Sequence, residues 1–218
     1  MTKKAIILLS GGLDSLVSLD IAIKKYNVVN SLTFDYGQKA FKEEKDAAKK
    51  IAKYYGIKNE VIKLSFLKDI LDNALVDDKK QDLNDFSQIW IPNRNGLFLN
   101  IAACYCDKYE IDCIVFGANK EEAEKFSDNS LDFIKTSDKF FKYSTQKKSK
   151  VYAPCQDFDK IEIINYAVNN NLPIKLLKSC YDSKNNSGKK HCGKCMSCKL
   201  LKNAILQSGN KKLIKEIF

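Results

Sequence analysis

The chain has 218 residues, enough to bury one good core, and contains nothing that resembles an interdomain linker. Its formal charge of +10 is almost all lysine scattered along the length, a pattern of solubility rather than of a clustered nucleic-acid stripe. No apolar run reaches the roughly 18 residues of a membrane helix, and the N-terminus lacks a signal peptide's hydrophobic stretch, so a cytoplasmic protein with no membrane partner is expected.

Residues 5–9 read as a buried strand that runs through Leu8 and Leu9 into the turn Ser10-Gly11-Gly12-Leu13-Asp14-Ser15, with an apolar helix expected over 16–26. Adjacent glycines let several amides turn toward one point, while the serine hydroxyls and the helix N-terminus add donors and positive potential, so the turn reads as a phosphate cradle. The plainer alternative is a tight connection with Ser10 as helix cap. Asp14 would repel phosphates unless Mg2+ lay between, which assigns this acid either to the ion or to bracing the loop. No Gly-Lys-Ser/Thr closes the motif, so it is not a Walker A loop.

Further strands are expected over 28–34, 60–64, 112–116 and 151–153, and further helices over 39–55, 96–108 and 160–170. Such alternation gives an α/β fold of Rossmann-like form: a parallel five-stranded sheet with helices on both faces and ligands beyond the strands' carboxyl ends. At that edge the second strand is followed by Asp35-Tyr36-Gly37-Gln38, where a tyrosine can stack on a base and a glutamine can hydrogen-bond it, or where a capped turn simply leads into the next helix. Pro92-Asn93-Arg94-Asn95 precedes the third long helix, and the fourth strand ends near Gly117. Arg94 is the only arginine in a lysine-rich chain. Its planar fork grips a carboxylate or phosphate as lysine cannot, against the alternative of chance drift. The charged stretch from Asp77 to Asp85 is a candidate lid, and 139–150 reads as polar surface.

The eight cysteines divide into two populations. Cys104, Cys106, Cys113 and Cys155 lie in apolar contexts and read as small buried hydrophobes. Cys180, Cys192, Cys195 and Cys198 lie in a tail otherwise poor in apolar residues, with Gly193 inside a C-x2-C knuckle. Four thiolates make a closed tetrahedral Zn2+ site, one structural ion per chain; a disulfide pair and a 4Fe-4S cluster are the alternatives. His191, the only histidine, is read as a bystander to that metal. The division expected is an ATP-binding catalytic domain over 1–178 and a zinc knuckle with a helix, packed on the same domain, over 179–218.

The glycine turn resembles the PP-loop of ATP pyrophosphatases, whose fold is that of the adenine nucleotide alpha hydrolases. That resemblance implies cleavage of ATP between its alpha and beta phosphates. Taken with Asp35 to Gln38, Pro92 to Asn95, Gly117 and the four terminal cysteines, the whole pattern resembles the 7-cyano-7-deazaguanine synthase (QueC, formerly ExsB) family. The resemblance implies ATP- and Mg2+-dependent conversion of 7-carboxy-7-deazaguanine and ammonia to the nitrile preQ0, in a homodimer that does not require nucleic acid. It assigns Ser10, Asp14, Ser15 and Arg94 to catalysis. Leu8, Leu9, Gly11, Gly12, Leu13, Asp35, Tyr36, Gln38, Asn95 and Gly117 join them in holding the nucleotide, and Phe126 and Asp128 meet the deazaguanine. Where similar enzymes often carry Gly-Tyr-Pro-Asp-Cys-Arg, this chain reads Lys125-Phe126-Ser127-Asp128-Asn129-Ser130. If the arginine missing here meets the substrate carboxylate in those enzymes, Arg94 or a lysine substitutes for it, or the substrate differs. Two rival readings are a tRNA-sulfurating enzyme with Cys155 as its sulfur carrier and a zinc-bearing nucleic-acid-binding regulator.

Overall fold

A computed structural model of the chain describes residues 2–71, 73–77, 82–182 and 191–218. Five strands, β1 (Lys4–Leu8), β2 (Asn27–Asp35), β3 (Lys58–Lys63), β4 (Cys113–Val115) and β5 (Lys150–Tyr152), form one sheet in the order β3-β2-β1-β4-β5. Every pairing is parallel. The order reverses beside β1, which puts a crevice at the carboxyl ends of β1 and β4.

The helices are α1 (Leu13–Ile23), α2 (Phe41–Tyr54), α3 (Leu67–Ile70), α4 (Phe86–Ile89), α5 (Arg94–Tyr109), α6 (Lys120–Ala123), α7 (Leu131–Ser144), α8 (Lys160–Asn169), α9 (Met196–Gln207) and α10 (Lys212–Ile217). Side chains alternate across the pleat of β1, so Ala5 and Ile7 join one core and Ile6 and Leu8 the other. The first core is closed by α1, α2, α8 and α9, through residues such as Leu16, Ile51, Ile164 and Ile205. The second is closed by α5 and α7, through Leu99, Ala103, Ile134 and Phe141. Leu201, Ala204, Ile205 and Ile217 lie in the first core, so the last helices are part of the main body.

Three sequence expectations need correction. Residues 139–150 are not merely surface: they carry the second half of α7, bury Phe141 and Ser149, and end on β5. Cys104 is exposed, because it lies on the outer face of α5, whereas Cys106, Cys113 and Cys155 are buried as expected. The first helix begins at Leu13 rather than three residues later, since Gly12 is already extended at its cap and Ser10 makes no cap bond. The lid expected between Asp77 and Asp85 falls partly on 78–81, outside the described residues.

Candidate active site and metal centre

Gly11 sits at φ +84°, and a Cβ there would lie 2.7 Å from the Glu44 carbonyl oxygen and 2.9 Å from the Ala47 Cβ. Only glycine meets both the backbone angle and the close approach of α2. The Gly12 amide donates to Ser10 Oγ at 3.3 Å, Ser15 Oγ donates to the Gly12 carbonyl at 2.9 Å, and the two hydroxyls are 3.2 Å apart. The first bond of α1 runs from the Leu16 amide to the Gly12 carbonyl, which leaves the amides of Leu13, Asp14 and Ser15 ahead of the helical ladder. Donors and helix dipole therefore converge on the turn. The Gly11 carbonyl is in turn held by the Lys178 amide at 2.8 Å, so the C-terminal segment backs the cradle.

Across the cleft, Gly117 ends β4 so close to α1 that a Cβ would lie 3.2 Å from the Ser15 amide nitrogen. Asp14 is engaged from inside the protein: Lys160 Nζ donates to both its oxygens at 2.8 and 2.9 Å and reaches Glu122 at 3.5 Å. Burial opposes the charge on Lys160, but the two carboxylates more than offset it and raise its pKa. Lys160 thus anchors the Asp14 carboxylate, and the Asp14 side chain stays 20% exposed where it lines the cleft.

The cradle side of the cleft, where a nucleotide is expected, is lined by Leu8, Leu9, Ser10, Gly12, Leu13, Asp14 and Ser15, with Tyr36, Gln38, Arg94, Asn95 and Gly117 around it. Asp35 is not among the lining residues; its carboxylate accepts from the Gly37 amide at 3.2 Å and shapes the turn. Gln38 lines the wall, yet its amide hydrogens go to the Phe34 carbonyl and to Glu44, and its oxygen accepts from the Tyr36 amide. It holds the loop that presents Tyr36.

Phe126 and Asp128 stand apart from the cradle, in an adjoining compartment with Phe86, Trp90 and Lys125. Phe126 stacks on Trp90 with ring centroids 5.2 Å apart and planes 9° apart, and Phe86 meets it edge-on. Asp128 is buried, which raises its carboxyl pKa against the opposing pull of Arg94. Its Oδ1 accepts from Asn129 at 3.2 Å. Arg94 lines both compartments.

Local sequence gave little warning of Glu44, Glu122, Lys160, Tyr181 and Ser197, all of which line the cleft. One signal existed for Lys160. It occupies the first position of α8, just after the Asp159 cap, where a cation runs against the helix dipole and needs another reason to be there.

The Sγ atoms of Cys180, Cys192, Cys195 and Cys198 lie within 4.8 Å of one another, and those of Cys192 and Cys198 are 3.9 Å apart. Tetrahedral Zn–S bonds of about 2.3 Å imply S···S spacings of about 3.8 Å. A four-iron cluster gives each thiolate its own iron and spreads the sulfurs wider. The knuckle turns at Gly193, φ +71°, and the amides of Lys194 and Cys195 both donate to Cys192 Sγ at 3.3 Å. His191 is not a ligand; its Nε2 accepts from the Ser179 amide at 3.0 Å, and its Nδ1 lies 3.1 Å from the Ile217 carbonyl.

A parallel α/β sheet that sets a glycine-turned anion cradle at its switch point defines a nucleotide-binding protein of the PP-loop class. Residues 4–209 match the family described as "Queuosine biosynthesis protein QueC". A relative from Carboxydothermus hydrogenoformans named 7-cyano-7-deazaguanine synthase is 43% identical over 214 residues, covering 93% of this chain and 98% of that one. The chain belongs to the QueC family. Its fold is shared with NMN synthetase from Francisella tularensis, at TM-score 0.52 and 14% identity over 100% of this chain and 88% of that one. It is shared also with U34-tRNA thiolase NcsA from Methanococcus maripaludis with its 4Fe-4S cluster, at 0.51 and 17% over 99% and 73%.

Proposed function

We propose that the protein is an ATP-dependent ligase that converts 7-carboxy-7-deazaguanine and ammonia to 7-cyano-7-deazaguanine, through adenylated intermediates, in queuosine biosynthesis. The observation that carries this reading is the two-compartment cleft: a phosphate cradle joined through Arg94 and Lys160 to an aromatic slot that ends on a buried acid. Family membership supports it.

A carboxylate resists ammonia because its leaving group would be oxide. Attack of the substrate oxygen on the alpha phosphate makes AMP the leaving group, and the cradle of Ser10 to Ser15 receives the pyrophosphate. A second activation, of the amide oxygen, then lets that oxygen depart as the nitrile forms. No nucleophilic side chain is required, since positioning and charge neutralisation supply the rate. Tyr36 borders the adenine side, the stacked Trp90–Phe126 pair offers an aromatic face to the deazaguanine, and Asp128 faces its N–H edge. Mg2+ would come with the ATP phosphates and reduce their charge, while Lys160 holds Asp14 as a brace for the loop. The four thiolates hold one structural zinc, with 179–218 serving as a wall of the catalytic body formed by 1–178. We further place the enzyme in the cytoplasm as a homodimer, the assembly the family resemblance implies. Among the described residues no helix is long and apolar enough to cross a membrane.

Incubation with ATP, ammonia and 7-carboxy-7-deazaguanine should yield AMP and the nitrile by mass spectrometry; ATP left intact would reject the ligase. The sulfur-transfer alternative requires a reactive thiol outside the metal set. Cys155 does not supply one: it is fully buried, accepts from Ser18 Oγ at 3.4 Å, and burial pushes its thiol pKa up to about 12. Cys155→Ser should therefore keep nitrile formation near the wild-type rate, and loss of turnover in a folded variant would restore that alternative. A nucleic-acid-binding regulator would leave the cleft without a purpose, and gel-shift binding indifferent to ATP would support it.

A further inference from the structure

We propose that Glu122 binds the incoming ammonium ion and takes the proton that frees its nitrogen for attack. This deepens the ligase reading above and rests on it. The acyl–AMP bond must form and break where the nucleotide compartment meets the aromatic slot. Arg94, Glu122, Asn129, Lys160 and Tyr181 line both compartments, and Glu122 is the carboxylate among them.

Other acids nearby are committed elsewhere. Asp14 gives both oxygens to Lys160 and lines only the nucleotide side. Glu44 is also confined to that side and accepts from Gln38 at 3.0 Å. Asp128 lines only the slot. Glu122 is held by its backbone, whose amide donates to Asn119 Oδ1 at 2.9 Å at the start of α6. Its side chain stays 36% exposed where it lines the cleft, and its carboxylate meets Lys160 at 3.5 Å, because Lys160 makes its closer contacts with Asp14. Acceptor capacity is left for a small cation with tetrahedral donors. Burial raises the Glu122 carboxyl pKa, the Lys160 ammonium partly opposes the rise, and Asp14 adds to it. A raised carboxyl suits a working base.

Ammonium has no lone pair, so it cannot attack. One N–H proton passes to a Glu122 oxygen, and the freed pair on nitrogen forms the C–N bond at the acyl carbon. The C–O bond to AMP breaks and its electrons leave with AMP. The extra proton on the new amide nitrogen is lost to solvent, and Glu122 is reset by releasing its own.

The test compares three rates in Glu122→Gln with the wild type: substrate-dependent ATP–pyrophosphate exchange, amide formation from ammonia, and hydroxamate formation from hydroxylamine, a nucleophile already unprotonated at neutral pH. The ammonia-dependent rate should fall on the order of 100-fold. Exchange and the hydroxylamine reaction should stay within the wild-type order of magnitude, and Glu122→Asp should recover part of the ammonia rate. If all three rates fall together, Glu122 is structural or serves the phosphates, and the proposal is overturned. It is equally overturned if ammonia is used at the wild-type rate, or if ammonia and hydroxylamine lose alike while exchange persists. A wild-type enzyme that forms no nitrile would reject the ligase reading instead, before any variant is made.

Discussion

Arg94→Lys is expected to lower kcat/KM for the carboxylate substrate by on the order of 100-fold, the usual effect of removing one charge-stabilising donor. The fold should survive, with the unfolding midpoint moving by no more than about 2–4 °C, equivalent to roughly 1 kcal/mol in a chain of this size. The reason lies in how loosely the guanidinium is tied. It lies over the Tyr36 and Phe98 rings at 5.6 and 6.0 Å, and its hydrogen bonds, to Tyr36 Oη and Asn95 Oδ1, are 3.4 to 3.5 Å long. Among the described residues it makes no ion pair. A cation at the junction of two compartments, with donors only weakly used, is suited to an anion that arrives with the substrate. Lysine keeps the charge but loses the fork and the flat stacking face. Steady-state kinetics beside a thermal melt check this; wild-type turnover in the variant would refute the assignment.

Cys195→Ser should abolish binding of one zinc per chain and, with it, most nucleotide affinity. Structural zinc sites contribute folding free energy outright, so the melting temperature should fall by on the order of 10 °C. The three remaining thiolates, without a cation, repel one another, and the segments that carry them are the ones that build the cleft. Tyr181 follows Cys180, Ser197 lies between Cys195 and Cys198, and Leu200 and Leu201 come one turn later; all four line the nucleotide side. Metal analysis, calorimetry and nucleotide titration of the same preparation test the linkage. Iron and sulfide in place of zinc would overturn the metal assignment, and undiminished ATP binding by the metal-free variant would show that the wall stands without it.

The strands were legible because parallel strands buried on both faces leave near-continuous apolar runs such as Ile6 to Leu9. β3 is the exception, an edge strand of sequence Lys-Asn-Glu-Val-Ile-Lys, and its first two residues were missed for that reason. α7 was missed because only Ile134 and Phe141, two turns apart, are buried along it, while lysines and the exposed Phe140 and Tyr143 blur the period. In the site, Ser10 to Ser15 and the cysteine set form compact motifs whose spacing carries their chemistry. Lys160 and Asp14 are 146 positions apart, and nothing local to either announces the pair. Glu122 lies on α6, five residues beyond Gly117; a glycine at a strand end is a recognisable constraint, and an acid on a four-residue helix is not.

Strand β1, the first of these five in chain order, lies in the middle of the sheet, between β2 and β4. Its first neighbour is encoded some twenty residues downstream, but its other neighbour begins only at Cys113. As the nascent chain leaves the ribosome, one half of the sheet can therefore pair long before the other, consistent with the general order of folding during synthesis. Lys178, which backs the glycine turn, and the α9 residues that close the cleft come later still. On the proposed reading, the cradle gains its backing only once Lys178 and α9 have emerged, and chains that stall before the four-cysteine segment would not compete for ATP.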